Sequence, residues 1–164
     1  MTPEQFAELS AQNFNRIPVV REVLADLDTP LSTYMKLANQ PYSYLLESVE
    51  GGEKWGRYSI IGLPCRTVLK VYGYSDRVET DGEVVEQSEV TDPLEFVEQF
   101  QARYRAAELP GRPRVNGGLV GYFGSDGVRY VGQPAAHSIP EDEIGTPDIV
   151  RMCSGGVVGI ENAK

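Results

Sequence analysis

Residues 76–87 read DRVETDGEVVEQ, and the Asp81-Gly82 pair at their centre separates two alternating runs. Asp-Gly between such runs is the strongest short-range signal of a two-residue β-turn, because both turn residues need positive φ and these two tolerate it. The stretch predicts a β-hairpin, and with it antiparallel pairing.

The same pattern extends outward. Residues 43–48, 57–63 and 66–72 are rich in Tyr, Leu, Ile and Val, with Gly and Pro between them, and predict three strands. Leu45 and Leu46 are expected to be buried. Further on, GGLVGYFG (117–124) reads as a glycine-rich apolar strand and residues 125–147 as mostly irregular. IVRMC (149–153) and VVGI (157–160) read as a second hairpin over Ser154, Gly155 and Gly156. If another strand is due beside VVGI, its absence leaves an open edge suited to self-association.

Helices fill the intervals. Thr2 can cap a helix over residues 3–11, with Pro3 at its first position and Gln5 as the capping-box partner. After the extended RIPVV (16–20), Thr29-Pro30 repeats the signal, and Leu31, Tyr34, Met35 and Ala38 recur at helical spacing. Asp92-Pro93 opens the longest helix, with Glu95 as capping-box partner and Leu94, Val97, Phe100 and Tyr104 on one face through about residue 107. Strands come in hairpin-like groups and do not alternate βαβα. The expected fold is α+β, a largely antiparallel sheet with packed helices, in one domain over residues 1–164.

Composition narrows the function classes. With 15 basic and 24 acidic residues the formal charge is −9, a field that repels phosphate backbones and anionic lipid and argues against nucleic-acid and membrane partners. No apolar run approaches the roughly 20 residues of a bilayer span, and MTPEQFAELS has neither the basic start nor the apolar centre of a secretory signal. Cys65 and Cys153 are the only cysteines, far apart, and read as reduced thiols in a cytoplasmic protein.

Sequence motifs for zinc hydrolysis (HExxH), thiol redox (CxxC), nucleophile-elbow (GxSxG) and P-loop chemistry are missing. His137, the single histidine, lies among Pro, Ala and Ser and reads as a surface residue. GGLVGYFG is not GxGxxG, and its glycines read as sites of close backbone packing. Glu141, Asp142 and Glu143 read as solvated charge beside a proline.

The segment SYLLESVEGGEKWGRYSIIG (43–62) carries more chemistry. Glu47 and Ser48 place a carboxylate and a hydroxyl at a strand end. Lys54 and Arg57 can face a carboxylate, and Trp55 and Tyr58 offer aromatic surface with polar tips. These are the parts of an amino-acid pocket. A plain hairpin with a polar loop uses the same residues.

LLES, GxxWGRYSIIG, GGLVGYFGSDGVRY and GTPDIV, in this order, resemble the N-terminal domain of anthranilate synthase component I. The resemblance runs from NRIPV onward. It implies an L-tryptophan feedback site in which Ser48 contacts the inhibitor, with Glu47, Arg57 and Tyr58 as companions, and no catalytic residue here. It implies further that family members continue into a chorismate-binding domain, absent here, that supplies the magnesium-binding glutamates. No cofactor is expected in this chain itself. With a glutamine amidotransferase partner, the whole enzyme converts chorismate and ammonia to anthranilate and pyruvate. The chain alone is expected to lack catalysis. Where the family usually reads GYxxYD, this sequence has Gly124-Ser125-Asp126-Gly127 and lacks the second tyrosine. Aminodeoxychorismate synthase shares the domain, and LLES with RYSIIG favours the anthranilate branch. A stand-alone aromatic amino-acid binding module and an inert scaffold are the other readings.

Overall fold

The computed structural model describes residues 1–47, 58–109, 117–131 and 144–161. Three α-helices are present among the described residues. In α1 (Pro3–Ala11) the Thr2 hydroxyl accepts from the Gln5 amide, and the Gln5 side chain accepts from the Thr2 amide, so two orphan donors are satisfied reciprocally. In α2 (Pro30–Leu37) Thr29 and Ser32 repeat the device. In α3 (Pro93–Ala102) Asp92 alone accepts from the amides of Leu94 and Glu95. The expected Glu95 contribution is replaced: its carboxylate accepts from Gln99, one turn on. Helix α3 also stops five residues short of the expected end, and Tyr104 packs from beyond it.

Among the described residues, eight strands form two antiparallel sheets. The smaller orders β1 (Tyr44–Glu47), β2 (Tyr58–Gly62) and β8 (Val157–Glu161) as β1-β2-β8. The larger contains β3 (Thr67–Tyr72), β4 (Ser75–Thr80), β5 (Glu83–Glu89), β6 (Gly118–Phe123) and β7 (Ile149–Ser154), in the order β5-β4-β3-β7-β6. The α+β, antiparallel architecture is as the sequence predicts. Asp81 and Gly82 join β4 to β5 with φ of 54° and 84°, as a two-residue turn of this hand requires. Residues 125–130, read as irregular, form a 3-10 helix.

The second expected hairpin does not form. Strand β7 pairs with β3 and β6, whereas β8 pairs with β2 in the other sheet. Neither Gly155 nor Gly156 is among the glycines with positive φ, so the chain makes no tight reversal and runs on from one sheet into the other. The Gly156 carbonyl accepts from the Leu63 amide at 3.0 Å, beside the point where the chain passes between the sheets in the opposite direction, from β2 to β3.

The core lies between α3 and one face of the larger sheet, where Leu69, Val71, Val78, Val97, Phe100 and Ile149 are buried together. Leu46, expected inside, is 51% exposed. Successive strand residues point to opposite faces, so Leu45 and Leu46 cannot both face inward. On α2, Ala38 is buried at the C-cap, while Leu31 and Met35 are exposed.

Candidate functional site

Glu47 ends β1 directly opposite Ser59, and Tyr58 opens β2 directly opposite Glu161 of β8. Residues paired across an antiparallel ladder share a face, and neighbours along a strand do not. Glu47 therefore lies on the face of Ser59 and Ile61, which are almost wholly buried. Tyr58 lies on the other face, with Leu46 and Ile60. The two side chains are separated by the thickness of the sheet. Ser48 and Arg57, with Lys54 and Trp55, lie outside the described residues, as do His137, Glu141, Asp142 and Glu143.

Each side offers different chemistry. Glu47 presents an exposed carboxylate that can pair with an ammonium group. Tyr58 presents a ring beside the half-exposed Leu46, an apolar surface with a polar tip. The far end of this face is fixed by Tyr44, whose ring lies across Gly62 so closely that a Cβ there would sit 2.0 Å from it. The Tyr44 hydroxyl and the Ser154 hydroxyl are 2.9 Å apart, which ties the smaller sheet to β7.

The glycine-rich strand serves packing. A Cβ on Gly121 would lie 1.9 Å from the Val150 carbonyl oxygen, and one on Gly117 would lie 2.4 Å from that of Ser154. These glycines let β6 approach β7, as the sequence reading expected.

A further constellation was not foreseen. The Tyr130 hydroxyl lies 2.7 Å from both the Asp148 carboxylate and the Gly73 carbonyl, and the same carboxylate oxygen accepts from the Gly73 amide at 2.8 Å. Arg129 adds charge, 3.8 Å from Asp148 and 3.2 Å from Asp126. Burial first, then the Asp148 carboxylate, hold the Tyr130 phenol well above its usual range. The GSDGVRY and GTPDIV segments thus meet over the β3–β4 turn. Each was visible in the sequence, but no local signal says that they touch.

Cys65 is buried and Cys153 half-buried, and both are free thiols. Among the described residues no group of three His, Cys, Asp or Glu side chains could hold a metal ion, and no helix is long and apolar enough to cross a membrane.

No family model matches the chain. Individual proteins do. It is 58% identical over 162 residues to anthranilate synthase component 1 of Pseudomonas putida, covering 99% of this chain and 33% of that protein. The component 1 of Neisseria meningitidis serogroup B (strain ATCC BAA-335 / MC58) is 49% identical over 166 residues, with the same two coverages. That of Acinetobacter calcoaceticus is 43% identical over 165 residues, covering 98% of this chain and 33% of the relative. Among solved structures, anthranilate synthase component I from Streptococcus pneumoniae TIGR4 aligns with a TM-score of 0.45 and 23% identity, over 88% of this chain and 29% of that one. The chain spans about a third of the length of the curated relatives it matches. Along nearly its whole length, then, this chain is a homologue of anthranilate synthase component 1 and corresponds to one third of such a protein.

Proposed function

We propose that the chain is the regulatory and scaffolding part of an anthranilate synthase component I, in the branch that leads from chorismate to tryptophan. The 58% identity that extends over 99% of the chain supports this reading. The named relatives are all component 1 of anthranilate synthase, which favours that branch over aminodeoxychorismate synthase. In the proposed assembly a chorismate-binding domain supplies the magnesium site and the chemistry, and a glutamine amidotransferase supplies ammonia. This chain carries part of an L-tryptophan feedback site, made of Ser48, Glu47, Arg57 and Tyr58. Because Glu47 and Tyr58 lie on opposite sheet faces, the ligand would sit at the strand ends, where both faces are within reach.

Catalysis needs acid-base groups and a metal positioned at the reacting atoms, so the isolated chain is expected to make no anthranilate. The test is to mix it with Pseudomonas putida component 1 lacking the matching third, then assay anthranilate from chorismate, ammonia and magnesium. Activity that appears only on mixing, and falls when L-tryptophan is added, is the expected result. A folded chain that restores nothing would refute the scaffolding role, and restored activity indifferent to tryptophan would refute the feedback role.

A further inference from the structure

Asp76 is 0% exposed, and neither of its carboxylate oxygens has a hydrogen-bond partner among the described residues. It stands on the α3-facing side of β4, two residues from the core Val78, opposite Val71 of β3 and Ser88 of β5. The surrounding charges of the described residues leave it uncompensated. On β3 and β4, Lys70 and Glu79 pair with each other on the opposite face. From β5, Glu86 is held by both terminal guanidinium nitrogens of Arg103, and Glu89 adds a second acid. The start of α3 contributes only acids, Asp92 and Glu95, already bonded to the helix amides and to Gln99. On β7, Arg151 shares the face but lies over the Phe123 ring, 4.7 Å from its centre. Beside β7, Arg129 and Tyr130 are engaged with Asp148.

We propose that Asp76 is a pH-responsive element of this fold: with its carboxyl protonated, α3 sits firmly on the larger sheet, and ionisation loosens that seat. An ionised carboxylate without water, hydrogen bonds or a cation is strongly disfavoured in an apolar layer, whereas the neutral acid is far less so. Burial, with Glu89 adding to it, pushes the group up from 3.8 to about 6. A folded-state value above the unfolded one means that the contribution is full below the unfolded value and is lost as pH rises through about 6.

The test uses the full chain, with Asp76→Asn and Asp76→Val beside wild type, in urea denaturation followed by circular dichroism from pH 4 to 7.5. One proton changes the folding constant by at most tenfold per pH unit, and only between the unfolded and folded values, so wild type should lose about fiftyfold relative to Asp76→Asn across this range. Amide exchange, referenced to intrinsic rates, should show the loss in α3 and not in β1, β2 or β8. Should Asp76→Val fail to fold, Asp76→Asn alone carries the comparison. Parallel pH profiles for wild type and Asp76→Asn, or a protection loss spread evenly over the chain, would overturn the proposal.

Discussion

Tyr130 and Asp148 meet at 2.7 Å, and through them the 3-10 helix, the start of β7 and the β3–β4 turn are held by one carboxylate. Because Asp148 accepts from both a phenol and a backbone amide, its oxygen is well supplied, and removing either partner exposes the other. A hydrogen bond to a charged group contributes about 1.5–3 kcal/mol. Tyr130→Phe should therefore lower unfolding stability by an amount in that range, and Asp148→Ala by more, since it leaves the Gly73 amide unsatisfied. Urea titrations of the two variants check this. Wild-type stability in Tyr130→Phe would show that the hydroxyl contributes nothing.

Gly121→Ala should destabilise by about 1–3 kcal/mol or more. The new methyl would lie 1.9 Å from the Val150 carbonyl oxygen, and backbone cannot swing aside as a side-chain tip can. Thermal melting of the variant measures the loss, and an unchanged midpoint would mean that β6 and β7 part without cost.

The two Gly-containing connections should respond in opposite directions. Gly82 holds φ of +84° with open space around it, so Gly82→Ala meets no atom but strains the backbone by about 1–2 kcal/mol. Gly155 also has open space but no positive φ, so Gly155→Ala should be neutral or stabilise by about 0.4–1 kcal/mol, through a less flexible unfolded chain. Equal losses in both would contradict the distinction between a true hairpin turn and a passage between sheets.

Ser48→Ala should weaken L-tryptophan inhibition of the reconstituted enzyme by roughly ten- to a hundredfold, the equivalent of one hydrogen bond to a charged ligand group. Ser48→Phe should abolish inhibition by filling the space. Calorimetric titration with L-tryptophan, and with L-leucine as control, separates a direct effect from a folding defect. Equal inhibition of wild type and Ser48→Ala would remove Ser48 from the site.

Most local structure was legible because its determinants are local. Thr2, Thr29 and Asp92 announce helix starts through hydroxyl or carboxylate groups that satisfy the first amides, and Asp81-Gly82 announces a turn through backbone tolerance. Sheet membership was less legible. Ser154-Gly155-Gly156 looks like a turn, yet whether β8 folds back on β7 depends on β2, nearly a hundred residues earlier in the chain. The same holds at the candidate site. Sequence proximity gathered Glu47 and Tyr58, while the pairing of Glu47 with Ser59 puts them on opposite faces.

The passage of the chain from β7 into β8 also sets an order of events. Tyr44 and Ser154, whose hydroxyls join the two sheets, are 110 residues apart. At roughly 5–20 residues per second of synthesis, about 5–20 s separate the emergence of β1 from that of its anchor. For that interval β2 has no β8 beside it, and β3 no β7. Both sheets are closed by the same late stretch, residues 149–161, so neither can finish before the other's last strand is close behind. A ribosome that stalls before this stretch would leave two sheets with unpaired backbone in each, and the nascent chain would depend on whatever shields it until translation resumes.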